Sequence, residues 1–134
     1  MKIIRVKDYE EMTRELLELY VGQIERKPDS VLSFTTGAAP RGLLEKLAQR
    51  IQEGLDVSRR IFCNLDEYVC RKDQICSVYH FMNSYLYDRI DRKPGKILMF
   101  DGEAEDREAE LARYKALLDQ YPRHPSSKSI RILF

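Results

Sequence analysis

No apolar run in the 134 residues is long enough to span a bilayer. The opening residues, Met1 to Asp8, lack the long apolar core of a signal peptide. These two absences predict a cytoplasmic protein with no membrane contact. Neither sign of charge dominates: 23 Lys and Arg stand against 22 Asp and Glu, a formal net charge of +1. No strong field therefore draws the chain to nucleic acid or to an acidic surface. Cysteine is scarce and odd in number, with Cys63, Cys70 and Cys76 forming no C-x-x-C pair. With His80 and His124 they make no zinc-ligand spacing, so no metal site is expected and the thiols read as reduced and partly buried. Repeats and low-complexity tracts are also absent.

What remains is one domain of 1–134, long enough to bury a core. Ile3 to Val6 reads as a short strand. Asp8 and Glu11 follow with the spacing of a helix-opening capping box, and Met12, Leu16, Leu17, Tyr20 and Ile24 recur at helical intervals through about Arg26. Val31 to Thr35 reads as a strand, and Leu43, Leu44, Leu47, Ala48 and Ile51 as a helix ending at Gly54. Pro40 suits the first turn of that helix. Arg60 to Asn64 is a third strand, Val78 to Ile90 a third helix, and Ile97 to Phe100 a fourth strand. A charged helix from about Glu103 to Gln120 presents Leu111, Tyr114, Leu117 and Leu118 on one side. Beyond Tyr121 the pattern degrades, with a loop-like stretch and then alternation at Ile130, Ile132 and Phe134.

Strand and helix alternate four times. Such alternation predicts an α/β fold, a parallel sheet with helices on both faces and right-handed crossovers. Ligands of such sheets bind beyond the carboxyl ends of the strands. Two chemically suggestive segments fall there.

The first is Thr35-Thr36-Gly37-Ala38-Ala39-Pro40. Glycine lets backbone approach a ligand closely, and free amides at a helix start carry partial positive charge, so the loop has the parts to hold an anion. Thr35 and Thr36 add hydroxyl donors, and Arg41 either reaches an anion or lies on the helix surface. No G-K-[ST] follows, so it is not a Walker loop, and an ordinary strand-to-helix turn carries the same residues. The second is Asn64-Leu65-Asp66-Glu67-Tyr68. Adjacent carboxylates on extended backbone point to opposite faces, which excludes a glycosidase-like pair acting across one bond. One faces the crevice, where it can act as a general base, and the other a structural partner. Surface loop acids are the competing reading.

The order of these segments resembles the amino half of the glucosamine-6-phosphate deaminase and galactosamine-6-phosphate isomerase family. Thr36 to Pro40 matches a T-G-x-x-P phosphate loop, and Asn64 to Tyr68 an N-[ML]-D-E-Y strand end. Ser77 to Met82 fits S-x-x-x-F-M, Asp101 to Ala104 fits D-G-x-A, and Glu108 to Glu110 with Tyr114 complete the series. Tyr68 stands where the related 6-phosphogluconolactonases usually carry Arg, which favours the amino-sugar branch. The resemblance covers about Ile3 to Tyr121.

That resemblance implies a Rossmann-like sugar-phosphate isomerase/deaminase fold. It further implies that the amides of Thr36, Gly37, Ala38 and Ala39, with the Thr36 hydroxyl, hold the phosphate of a hexosamine 6-phosphate. Asp66 would move a proton between C2 and C1 of the opened sugar as ammonia is released, with Glu67 and Tyr68 in support. No cofactor is implied. Ala38 and Ala39 replace residues that in the family often bear hydroxyls, and Cys70 to Gln74 replace a Gly- and Pro-containing loop. The family's D-G-H-I-x-F-N-E-P type motif, which opens the sugar ring, has no counterpart here. The expectation is a truncated or frameshifted, catalytically incomplete chain with an atypical tail at about 122–134, or a sugar-phosphate-binding module or inactive remnant. A shortened sheet would leave an apolar edge, which predicts a homo-oligomer.

Overall fold

The structure, a computed structural model, describes residues 3–121. Its first helix, α1 (Tyr9–Arg26), starts where its cap chemistry dictates. The Asp8 carboxylate accepts the Glu11 amide at 2.8 Å, and Glu11 reaches back to accept the Lys7 amide at 2.8 Å. Leu16, Leu17, Val21 and Ile24 bury one stripe of α1 against the rest of the core. After β1 (Val31–Phe34) comes α2 (Ala38–Gln52), which stops at Gly54 in a Schellman turn. The Leu55 amide donates to Arg50 O at 2.9 Å and the Gly54 amide to Ile51 O at 3.1 Å, with Gly54 at φ +117°.

β2 (Ile61–Asn64) follows, then α3 (Val78–Tyr85) with a 3₁₀ turn at Tyr87–Arg89, β3 (Lys96–Leu98) and α4 (Arg107–Asp119). The three strands are parallel in the order β1-β2-β3. Helices cover both faces, as the alternation predicts. On one face α1, α2 and α3 enclose Leu32, Phe34 and Phe62. On the other, α4 brings Tyr114 onto Ile61, Cys63 and Leu98. β2 is buried along its whole length, as a central strand must be, whereas β1 alternates exposed and buried. No helix among the described residues is long and apolar enough to cross a membrane.

Three expectations need correction. Ile3 to Val6 forms no strand and stays exposed, because no neighbouring strand among the described residues takes up its backbone groups. α4 starts at Arg107 instead of Glu103, since the Asp106 carboxylate caps it by accepting the Ala109 amide at 2.9 Å. Leu111 is 60% exposed on α4, while Tyr114 carries the burial. The thiols also divide: Cys63 is buried, Cys70 intermediate and Cys76 exposed. The alternating segment at Ile130 to Phe134 and the rest of the atypical tail lie outside the described residues.

Candidate functional site

Strand register assembles the site. Ser33 pairs with Cys63, and Cys63 with Leu98, so one row crosses the sheet. Thr36, Asp66 and Asp101 each lie three residues beyond that row. The sheet thus delivers the two sequence-predicted segments, and the Asp101-Gly102 turn, to its carboxyl edge.

The Thr36-to-Ala39 loop turns sharply at Gly37, which sits at φ +117°, ψ −173° as the N-cap of α2. Only glycine adopts that backbone without strain. Gly37 offers no side-chain cap and no acidic residue occupies the first turn, so the partial positive charge of the helix start faces solvent unneutralised. Sequence reading missed a clamp on this turn. The Tyr9 hydroxyl donates to Ala38 O at 3.0 Å and accepts the Gly42 amide at 2.9 Å, inserting between two groups that a regular helix would bond directly. A Cβ on Gly42 would lie 3.0 Å from the Tyr9 hydroxyl and 3.0 Å from Thr13 Oγ1, so the glycine lets α1 hold the loop closely. The Arg41 guanidinium lies 4.7 Å from the Tyr85 ring centroid and pairs with Glu45 at 3.7 Å, on the helix surface.

Asp66 and Glu67 part company. Glu67 accepts the amides of Tyr68 (2.8 Å), Val78 (2.7 Å) and Tyr79 (2.9 Å) and the Ser77 hydroxyl (3.2 Å). It therefore closes the N-terminus of α3, where a carboxylate is most favourable. Asp66 is exposed, and its carboxylate makes no hydrogen bond or ion pair among the described residues. Tyr68 is 59% exposed, so its ring does not pack beneath the acids. Glu67→Gln is expected to cost about 2 kcal/mol. An amide keeps one acceptor oxygen and points its NH₂ at groups that all donate. Thermal unfolding with amide exchange at Val78 and Tyr79 checks this, and stability within 0.5 kcal/mol of the parent would count against the assignment.

Behind the loops, β2 ends on Asn64, which is buried. Its Nδ2 donates to Phe34 O at 3.1 Å, while its Oδ1 finds no partner among the described residues. The Tyr114 hydroxyl takes the place of a further β3 residue, accepting the Asn64 amide at 3.2 Å and donating to Asn64 O at 2.6 Å. Burial pushes this phenol up to about 12, so it stays a donor. The turn after β3 is tied to the acid-bearing loop. The Lys72 ammonium pairs with Asp101 at 3.2 Å, and the Lys72 amide donates to Glu103 at 3.3 Å. Glu110 accepts the Asp101 amide at 2.7 Å and grips Arg113 through two 2.6 Å bonds. The Arg113 hydrogen bonds hold the Glu110 carboxyl below its usual range. A shallow groove of about 490 Å³ lies elsewhere, between the sheet and α4, and neither Thr36 nor Asp66 lines it.

This arrangement of an acid-free helix start and a free carboxylate at one edge of the sheet is what the comparisons bear on. No family model matches the chain. It is 36% identical over 121 residues to the glucosamine-6-phosphate deaminase of Lysinibacillus sphaericus (strain C3-41), covering 89% of this chain and 51% of that one. It is also 36% identical over 121 residues to glucosamine-6-phosphate deaminase 1 of Bacillus subtilis (strain 168), covering 89% and 50%. The structure of a monomeric glucosamine-6-phosphate deaminase superposes with a TM-score of 0.82 at 34% identity, over 90% of this chain and 51% of that one. A 6-phosphogluconolactonase from Thermotoga maritima shares the fold alone, with a TM-score of 0.69 at 20% identity. The chain spans about half the length of the relatives it matches. By sequence and by fold it is similar to the glucosamine-6-phosphate deaminases over about half of their length.

Proposed function

We propose that the carboxyl edge of this sheet binds a hexosamine 6-phosphate and that Asp66 handles the proton of an aldose–ketose isomerisation with ammonia release. The phosphate sits on the amides of Thr36, Gly37, Ala38 and Ala39, aided by the Thr36 hydroxyl. Asp66 takes the proton from C2 of the opened sugar and returns it to C1, which leaves an imine at C2 that solvent water hydrolyses to the ketone with release of ammonia. Glu67 holds the loop that carries Asp66, and Tyr68 flanks it. The observation that carries this reading is the shared row. Thr36 and Asp66 each lie three residues beyond the paired Ser33 and Cys63, in the loops that follow adjacent strands, and of the two acids Asp66 is the one with a free carboxylate. The reading calls on no metal and no organic cofactor. The relatives' names favour the glucosamine over the galactosamine sugar. It places the protein in cytoplasmic amino-sugar metabolism.

A second reading, binding without turnover, is favoured by one fact: the chain spans about half of the relatives' length. The groups that open the ring are then not all supplied by these residues. Calorimetric titration with glucosamine 6-phosphate tests what both readings share. Gly37→Ala should weaken binding about tenfold, because the Cβ strains a backbone at φ +117° and moves the amides that grip the phosphate. Inorganic phosphate should compete, and unphosphorylated glucosamine should not. Equal affinity for glucosamine with and without its phosphate would sink both readings.

A further inference from the structure

We infer that Cys70 and Cys76 are a redox-responsive thiol pair, which a low-molecular-weight disulfide such as oxidised glutathione closes into a disulfide inside the loop after Asp66. Neither thiol belongs to the sugar-phosphate site proposed above, so the pair stands or falls apart from the role of Asp66.

The fold brings the two sulfurs together by pinching the neck of this loop. Glu67 Oε1 accepts the Tyr68 amide at 2.8 Å and the Val78 amide at 2.7 Å. One carboxylate oxygen thus joins the two ends of the loop, and each cysteine stands two residues inside an end. Within the neck the chain turns twice: the Gln74 amide donates to Arg71 O at 3.0 Å and the Ser77 amide to Gln74 O at 3.0 Å. Gln74 Oε1 accepts both the Arg71 amide, at 3.3 Å, and the Cys76 thiol, at 3.8 Å. Arg71 directly follows Cys70, so this oxygen holds the Cys76 sulfur beside the peptide that leaves Cys70. The thiols meet there: a hydrogen bond with Cys76 is the largest influence on the Cys70 thiol. Arg71 also grips Asp73 through bonds of 3.0 and 2.6 Å, and the Cys70 amide donates to Tyr68 O at 2.9 Å. A loop held at so many points keeps its sulfurs neighbours, and proximity is what an intramolecular disulfide needs.

Accessibility sets the order of attack. Cys76 is exposed and Cys70 half-buried among the described residues. The hydrogen bond with Cys76, then burial, then the charges of Cys76, Glu67 and Glu103 push the Cys70 thiol up to about 11. Cys70 is therefore held protonated while Cys76 meets the oxidant. The Cys76 thiolate attacks one sulfur of glutathione disulfide, whose S–S bond breaks and releases one glutathione thiolate. In the resulting mixed disulfide Cys76 offers neither a thiol nor a charge, so the main restraint on Cys70 is lifted. Cys70 gives its proton to solvent and attacks the Cys76 sulfur. The Cys70–Cys76 bond forms as the second glutathione leaves: two protein thiols are oxidised, and one glutathione disulfide is reduced to two thiols. Reduced glutathione runs the steps in reverse. Cys63 takes no part, since it is buried on β2 with its thiol bonded to Leu32 O at 3.6 Å. Intracellular disulfides of this reversible kind serve as redox sensors.

Mass spectrometry of the 134-residue chain in oxidised glutathione, quenched with acid and alkylated, tests the pair. The chain should lose two hydrogens, carry no glutathione and keep a monomer mass. Trypsin cuts after Arg71 and Lys72, so the link should join peptide 61–71 to peptide 73–89, and fragmentation tells Cys70 from Cys63. Closure should be at least about tenfold faster in the folded chain than in the same chain in urea. Cys70→Ser should stop at the mixed disulfide on Cys76. Cys76→Ser should take up glutathione on Cys70 at least about tenfold more slowly than Cys70→Ser does on Cys76. Stable glutathione on both cysteines of the parent overturns the inference, as does a link to Cys63, a link between chains or no reaction. Closure at equal rates in water and in urea overturns it too, because the fold would then contribute nothing. Equal uptake by the two serine proteins overturns the order of attack.

Discussion

Asp66→Asn is expected to lower ammonia release from glucosamine 6-phosphate by about 10² to 10⁴-fold, the range that a positioned proton-transfer group contributes. Binding should stay within about threefold, well under the 1.4 kcal/mol of a tenfold change. Asparagine matches aspartate in shape and keeps one acceptor oxygen, but it cannot take a proton near neutrality. The substitution should be structurally silent, since the Asp66 carboxylate makes no hydrogen bond or ion pair among the described residues. The contrast with Glu67→Gln is diagnostic. Loss at Glu67 comes through unfolding of the α3 start and should show in thermal melts, whereas loss at Asp66 should show in kcat alone. The measurement is made on the 134-residue chain. Turnover within tenfold of the parent in the asparagine protein would remove Asp66 from the chemistry.

How far the sequence carried this picture depends on the range of each interaction. Local signals were read well. Asp8 and Glu11 cap α1 and Gly54 ends α2 in left-handed backbone, both within a few residues. The sequence led one to expect different roles for Asp66 and Glu67, and their partners do differ, though both lie in the loop beyond β2. It was not legible which acid would be taken, because the donors that claim Glu67 lie 10 to 12 residues later. Partners further away were invisible. Tyr9 reaches Gly42 across 33 residues and Tyr114 reaches Asn64 across 50, and neither contact leaves a period in the chain. Ile3 to Val6 has strand composition, yet a strand needs a neighbour, and composition does not say whether one is there. α4 failed differently. Its apolar residues promised a broad buried stripe, but a sheet covered only as far as β2 buries Tyr114 and leaves Leu111 out.

Gly102→Ala should be strongly damaging at the carboxyl edge of the sheet. A Cβ there would stand 2.4 Å from Tyr68 O and 3.1 Å from Cys70 O, with Glu67 Cγ at 3.0 Å. Two of the three obstacles are backbone, so no side chain can swing away to relieve them. The backbone between Tyr68 and Cys70 must move, and Glu67 with it, although its carboxylate is held by three donors at the start of α3. Overpacking of this kind costs about 3 kcal/mol, which in a domain of this size lowers Tm by roughly 10 °C. Two measurements separate the possible reliefs. If the loop yields, Val78 and Tyr79 amides lose protection and any activity that depends on Asp66 falls with them. If the Asp101 turn yields, the Lys72–Asp101 pair at 3.2 Å opens instead, and the α3 amides stay protected. The first outcome is expected, because Glu110 and Arg113 brace the Asp101 side through bonds of 2.6 to 2.7 Å, leaving the exposed loop as the softer partner. An alanine protein that melts within 2 °C of the parent would mean that the two segments do not meet as closely in solution. The coupling between the turn after β3 and the acid-bearing loop would then be lost from the argument.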